Sequence, residues 1–119
     1  MFEIRKKFSF SASHQLHGLP EGHQCARLHG HNYEVEVILQ SPTLNACSFI
    51  VDYGDLSPFR DYLDTFYEHR HLNDLMAQPT AENLARSFYE WCKLRWEQIS
   101  EVRVSETPKT WASYRERKQ

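Results

Sequence analysis

Two long runs of strictly alternating apolar and polar residues dominate the first third of this chain, and they tie it to folds built on a sheet. From Phe2 to His14, the residues Phe2, Ile4, Phe8, Phe10, Ala12 and His14 share one parity, with Lys6 the only charged member; Glu3, Arg5, Lys7, Ser9 and Ser11 share the other. From His29, the set His29, His31, Tyr33, Val35, Val37 and Leu39 alternates with Asn32, Glu34 and Glu36, until Ser41-Pro42-Thr43 closes the run. A period of two is the signature of a strand that buries one face. Between the two runs, residues 15 to 28 are rich in Gly, Pro and polar side chains, a loop of a length that usually carries function or mobility.

The rest of the chain supplies the cover. Phe49-Ile50-Val51 is a short apolar piece leading into Asp52-Tyr53-Gly54-Asp55. Phe59, Tyr62, Leu63, Phe66 and Tyr67 then recur at helical spacing, with Asp55 or Ser57 as candidate cap and Pro58 in the first turn, where a missing N–H is harmless. A second helix starts after Pro79, capped by Thr80, and presents Leu84, Phe88, Trp91, Cys92 and Arg95 on one face; Cys92 reads as a core residue. Strands are predicted over Val102–Thr107 and Thr110–Arg115, separated by Pro108-Lys109. The order ββααββ gives an α+β fold, a four-stranded antiparallel sheet with two helices on one face. Such a sheet leaves two free edges, which an assembly of copies would cover.

At 119 residues the chain suits a single domain, 1–119, with a modest core that an oligomer would help. Fourteen basic against sixteen acidic residues give a net charge of −2, without the basic footprint of a nucleic-acid binder. The locally basic segment 114–119 reads as a short solvated tail. Cys25, Cys47 and Cys92 lack disulfide-framework spacing and read as free thiols in a reducing compartment. Neither a signal peptide nor a membrane span is evident, so the expected location is cytoplasmic.

The chemistry concentrates in "CARLHGHNYEVEV", residues 25 to 37. His29 and His31 are two apart on a strand, so both rings point to one side, roughly 6.5 Å apart along the chain. If the two alternating strands pair antiparallel around their loop, His14, at the end of the first, joins them. Three imidazoles with an open fourth position is the catalytic form of a zinc site. Cys25 is then a fourth ligand, a catalytic thiolate or an inert thiol, and nearby Arg27 or a metal would favour the thiolate. Glu68-His69 places a carboxylate beside an imidazole, and Glu106 turns inward near a strand end, where it needs a partner.

Six blocks in order, "FSFSASH" (8–14), "CARLHGHNY" (25–33), "VDYGDL" (51–56), "EHRHLND" (68–74), "PTAEN" (79–83) and "SETPKTWASYR" (105–115), resemble the 6-pyruvoyltetrahydropterin synthase superfamily. The three residues between Cys25 and His29 resemble its 6-carboxytetrahydropterin synthase branch. The resemblance implies a tunnelling fold whose sheets join into a barrel, a homohexamer of two trimers, and active sites between subunits. It implies Zn²⁺ on His14, His29 and His31, Cys25 as catalytic base, and His69 paired with residue 68 as second proton-transfer group. Glu106 and Thr107 would hold the pterin ring. The implied reaction converts 7,8-dihydroneopterin triphosphate to 6-carboxy-5,6,7,8-tetrahydropterin, acetaldehyde and triphosphate, on the route to queuosine. Candidates for the triphosphate are Lys6, Arg27 and Lys109. One departure stands out: residue 68 is glutamate where the family usually has aspartate. His71 is an alternative proton carrier, and Asn73 and Asp74 complete the motif. Rival readings are 6-pyruvoyltetrahydropterin synthase activity and a non-catalytic zinc-stabilised assembly module with Cys25 as fourth ligand.

Overall fold

The computed structural model describes residues 1–117; Lys118 and Gln119, the end of the basic segment, lie outside the described residues. Strand β1 spans Phe2–His14 and strand β2 His29–Ser41, the two alternating runs. They pair antiparallel without a break, from Phe2 opposite Ser41 to His14 opposite His29. Helix α1 covers Ser57–Phe66, strand β3 Arg70–His71, helix α2 Ala81–Lys93, strand β4 Ile99–Thr107 and strand β5 Thr110–Tyr114. The sheet order is β3-β1-β2-β4-β5.

The sheet therefore has five strands rather than four, and it is not wholly antiparallel. The extra strand, β3, runs parallel to β1 through Ala12 and Ser13. Two residues carry no readable periodicity, which is why this strand escapes a pattern-based reading. Strand β4 also begins three residues earlier than expected, at Ile99, through a bulge opposite Ile38 and Leu39.

Alternation puts Phe8, Phe10 and Ala12 of β1, Tyr33, Val35, Val37 and Leu39 of β2, and Val102 and Val104 of β4 on one buried face. Helix α1 lays Phe59 and Leu63 on it, and α2 adds Leu84, Ala85, Phe88, Tyr89 and Cys92. Aromatic rings key the layers together: Phe10 stacks on Tyr33 at 4.8 Å, and Phe8 meets Phe59 edge-on at 5.1 Å. Each such side chain contributes about 1.5–3 kcal/mol through burial.

The helix ends differ from expectation in three ways. Neither Asp55 nor Ser57 caps α1; the Asp52 carboxylate instead accepts from Gly54 N–H and caps a 3₁₀ turn, Tyr53–Leu56, that leads into the helix. Phe66 belongs to the apolar stripe but is half exposed. Arg95 lies past the end of α2 and stacks its guanidinium 3.4 Å above the Trp91 ring. Thr80 caps α2 as expected, accepting from Asn83 N–H at 3.1 Å.

The face away from the helices is charged, yet two of its carboxylates are covered: Glu36 is 8% exposed and Glu101 6%. Arg5 Nη1 donates to Glu36 at 2.9 Å, and Arg103 and Arg115 both bind Glu101. Among the described residues no helix is long and apolar enough to cross a membrane.

Candidate metal centre and its surroundings

The unbroken β1–β2 register sets His14 directly opposite His29, and His31 follows two residues on. The three rings meet edge to face, with centroids 4.5 to 5.0 Å apart. One ring nitrogen of each lies within 4.8 Å of the others, a spacing that can hold a metal ion. Gly30, between His29 and His31, suits the close strand approach: a Cβ there would stand 3.3 Å from the Ala12 carbonyl oxygen, tighter than an ordinary contact.

Hydrogen bonding decides which nitrogens are free. His14 is fully buried, and its Nδ1 lies 2.8 Å from the Pro79 carbonyl and 3.1 Å from the Tyr33 hydroxyl. His29 Nδ1 lies 2.6 Å from the Arg27 carbonyl. A carbonyl only accepts, so each Nδ1 carries a proton, and in the neutral form of either ring Nε2 is the nitrogen left to bind. Those two Nε2 atoms face each other at 2.9 Å. Opposed lone pairs repel at that distance unless a cation or a proton lies between them. Among the described residues, His31 Nε2 is buried without a hydrogen-bond partner. The Glu106 carboxylate is 3.4 Å from it, within ion-pair range but not aligned as a hydrogen bond. Burial lowers the His31 pKa below the ordinary imidazole value; Glu106 opposes this and the two neighbouring histidines reinforce it. The neutral form that results is the one that ligates metal. An orphaned buried nitrogen, two converging lone pairs and carbonyls fixing the tautomers are what a His₃ cation site requires.

Tyr33 and Pro79 are functional neighbours that the sequence reading missed. Tyr33 shares parity with His29 and His31, a signal that could have flagged it, whereas nothing local marks the Pro79 carbonyl. Burial, with a smaller contribution from Glu106, raises the Tyr33 pKa, so the phenol stays protonated.

The loop 15–28 is tied down beside this cluster. Asn73 clamps the residue after His14, accepting from Gln15 N–H at 2.9 Å and donating to its carbonyl at 2.8 Å. Gln78 does the same for His17. Cys25 sits in a one-turn 3₁₀ segment, Gln24–Ala26; its N–H donates to His23 Nδ1 and its carbonyl accepts from Leu16 N–H. The thiol is half-buried and lies outside the three-histidine cluster. Arg27 is exposed and meets the site through its carbonyl.

Glu68 and His69 lie in the turn between α1 and β3. The His69 side chain is 82% exposed, with Nε2 3.2 Å from the Glu68 carboxylate. His71 Nδ1 is 3.0 Å from Ser13 Oγ, on the side of β1 opposite to His14. His69, His71, Ser11, Ser13 and Asn32 line a cavity of about 630 Å³ that His31 of the cluster also lines. Within one chain no hydrogen bond or ion pair among the described residues joins Cys25, Glu68 or His69 to the three histidines. Of the remaining candidates, Thr107 lies at the end of β4, where its carbonyl accepts from Ser105, and Lys109 lies in the turn that follows. Lys6 binds the Tyr53 carbonyl at 3.0 Å, eight residues up β1 from His14, or about 26 Å at the rise of a strand.

Residues 3–117 match the model of the family described as 6-pyruvoyl tetrahydropterin synthase. The chain belongs to that family. A Synechocystis protein named 6-carboxy-5,6,7,8-tetrahydropterin synthase is 36% identical over 92 residues, covering 71% of this chain and 70% of its own. The Bacillus subtilis protein of the same name is 28% identical over 131 residues, covering 98% and 87%. These relatives place the chain in the branch that the Cys25–His29 spacing indicates, among pterin synthases. In structure it is similar to a Caenorhabditis elegans 6-pyruvoyl tetrahydropterin synthase, with a TM-score of 0.85 and 25% identity over 98% of this chain and 96% of that one. The tunnelling fold is thus the fold of this protein.

Proposed function

We propose that this enzyme is a zinc-dependent lyase that converts 7,8-dihydroneopterin triphosphate to 6-carboxy-5,6,7,8-tetrahydropterin, releasing acetaldehyde and triphosphate, in the route to queuosine. The observation that carries this reading is the meeting of the His14 and His29 Nε2 atoms, 2.9 Å apart, beside a His31 Nε2 that has no hydrogen-bond partner among the described residues. Imidazole donors in this number suit zinc. Bound there, zinc would act as a Lewis acid toward the hydroxyls of the substrate side chain.

The protein's own groups divide the remaining work. Cys25, as thiolate, takes a proton from the substrate side chain, and His69, oriented by Glu68, transfers protons on the other side of it. His71 is the second candidate for that transfer. Glu106 and Thr107 bind the amino and ring N–H groups of the pterin, and Arg27 and Lys109 are the candidates for triphosphate. Hydrogen moves between ring and side chain, so no external redox cofactor is needed.

Among the described residues His69 makes no hydrogen bond or ion pair to the three histidines, which supports an active site completed by a second copy. The edge of β5, and the length of β1 that the two-residue β3 leaves unpaired, support edge-to-edge joining of copies into a barrel. The working unit is then a homohexamer of two trimers, each chain a single domain, in the cytoplasm, with a small-molecule substrate and no nucleic-acid or membrane partner.

The test is to supply the zinc-loaded protein with 7,8-dihydroneopterin triphosphate and measure acetaldehyde and carboxytetrahydropterin in equal amounts. Formation of 6-pyruvoyltetrahydropterin as the only product would move the activity to the other branch. Turnover of neither kind would sink the assignment.

A further inference from the structure

His17 and His23 are the two histidines that the proposed chemistry leaves unused. His23 stands at the head of the segment that carries the Cys25 thiol. Its N–H donates to the Pro20 carbonyl at 3.0 Å and closes a turn over Pro20–His23. Gly22, third in that turn, has φ 83°, a left-handed value that glycine adopts without strain. The turn delivers His23 in extended backbone, φ −65° and ψ 128°, directly ahead of the 3₁₀ segment Gln24–Ala26.

The first N–H groups of a helical turn find no carbonyl inside it. Here the His23 ring serves one of them, Nδ1 accepting from Cys25 N–H at 3.1 Å. On the other side, the Cys25 carbonyl accepts from Leu16 N–H at 3.2 Å, and the Ala26 carbonyl from Gln15 Nε2 at 3.0 Å. Gln15 and Leu16 directly follow His14, so the carbonyl side of the turn is fixed to the strand end that carries a histidine of the cluster. The N–H side hangs on the His23 ring. No residue of the turn is fully buried, so hydrogen bonds rather than packing decide where the thiol stands. A 3₁₀ turn this short has poor internal hydrogen bonds to fall back on. Misplacing a reacting group by about 1 Å can cost about 100-fold in rate.

We infer that His23 is a positioning residue: its Nδ1 caps the turn that carries Cys25 and so sets where the thiol meets the substrate. This rests on the proposed function for the role of Cys25. What the cap requires is an acceptor one bond beyond Cγ; neither the bulk of the ring nor its Nε2 takes part.

Two substitutions separate the acceptor from the ring. His23→Asn (H23N) puts Oδ1 where histidine has Nδ1, and asparagine is among the best N-caps. His23→Phe (H23F) keeps the ring and has no acceptor. On the zinc-loaded enzyme, H23F should lower kcat about tenfold or more with KM changed less than about twofold, and H23N should be at least about fivefold faster than H23F. A second readout follows the thiol itself. Iodoacetamide should alkylate Cys25 at least about threefold faster in H23F than in H23N, because the uncapped turn opens a half-buried sulfur to solvent. Peptide mass spectrometry separates Cys25 from the exposed Cys47, whose rate should be the same in both variants. Equal values for the two variants, or the reverse order, in either measurement overturn the cap. His23 is exposed, so both variants keep the core, which the unfolding midpoint and the zinc content check. If the parent turns over no pterin, the proposed function fails while the alkylation comparison still decides the cap.

Discussion

His14 and His29, directly paired across β1 and β2, hold their Nε2 atoms 2.9 Å apart while each Nδ1 is turned to a main-chain carbonyl. The carbonyls commit the protons to the outer nitrogens, so the inner pair is poised for a cation. Purified protein is expected to take up one zinc per chain, measured by elemental analysis. His29→Ala, which removes the partly exposed member and spares the buried His14, should weaken zinc binding by at least about 100-fold in calorimetric titration. Zinc at 100 times its dissociation constant adds about 2.7 kcal/mol, enough to raise the parent Tm by several degrees. The variant should show little of that rise.

Arg103 lies between two covered carboxylates, binding Glu101 and approaching Glu36 at 4.0 Å. Among the described residues, removing it leaves each carboxylate one cation, Arg115 for Glu101 and Arg5 for Glu36. Arg103→Met keeps the apolar stem and should cost about 1–3 kcal/mol in urea unfolding, below the loss for a wholly buried pair because the guanidinium is partly hydrated. Adding Glu101→Gln should recover part of that loss, a non-additivity that a double-mutant cycle reads directly.

How much of this could be read from residue order depends on the length of each signal. Thirteen-residue strands with strict parity place His14, His29 and His31 on one face, and antiparallel pairing around one loop brings them together. The cluster was therefore legible without coordinates. Strand β3 was not, because two residues have no period, and its parallel pairing depends on the left-handed turn at His69. Parity also marks Glu36 as facing away from the helices, but it cannot tell that arginines from β1 and β4 will cover it. Phe66 is the opposite case: it fits the apolar spacing of α1, yet it is the helix's last residue and stays half exposed. Local pattern finds faces, and long-range contacts decide which faces are covered.

Cys92 is fully buried in α2, and that burial raises its thiol pKa well above the ordinary 9.0, with Arg95 opposing weakly. The unfolded chain releases this proton above about pH 9, while the folded chain keeps it. Unfolding then becomes easier as pH rises. Stability is fully present below pH 9 and declines by about 1.4 kcal/mol per pH unit above it from this group alone. Tyr62, its hydroxyl 3.1 Å from that of Tyr67, adds to the decline at higher pH, where phenols ionise. Chemical unfolding at pH 8, 9 and 10 should show the fall, and Cys92→Ala should flatten its first part. A parent protein equally stable at all three values would contradict the assignment.

Cys25 decides between catalysis and architecture. Its thiol lies outside the three-histidine cluster, held in a 3₁₀ turn by His23 and Leu16. A ligand to the metal would bring its sulfur to about 2.3 Å from the ion and close the fourth position. A base must leave that position open and reach the substrate instead. Cys25→Ala should therefore keep the zinc content and the oligomer size of the parent while lowering turnover at least about 100-fold, as loss of a general base does. Cys25→Ser, with a far weaker base, should be almost as inactive and equally metal-replete. If zinc and the assembly are lost together with the thiol, Cys25 is a structural ligand, and the proton must be taken by another group.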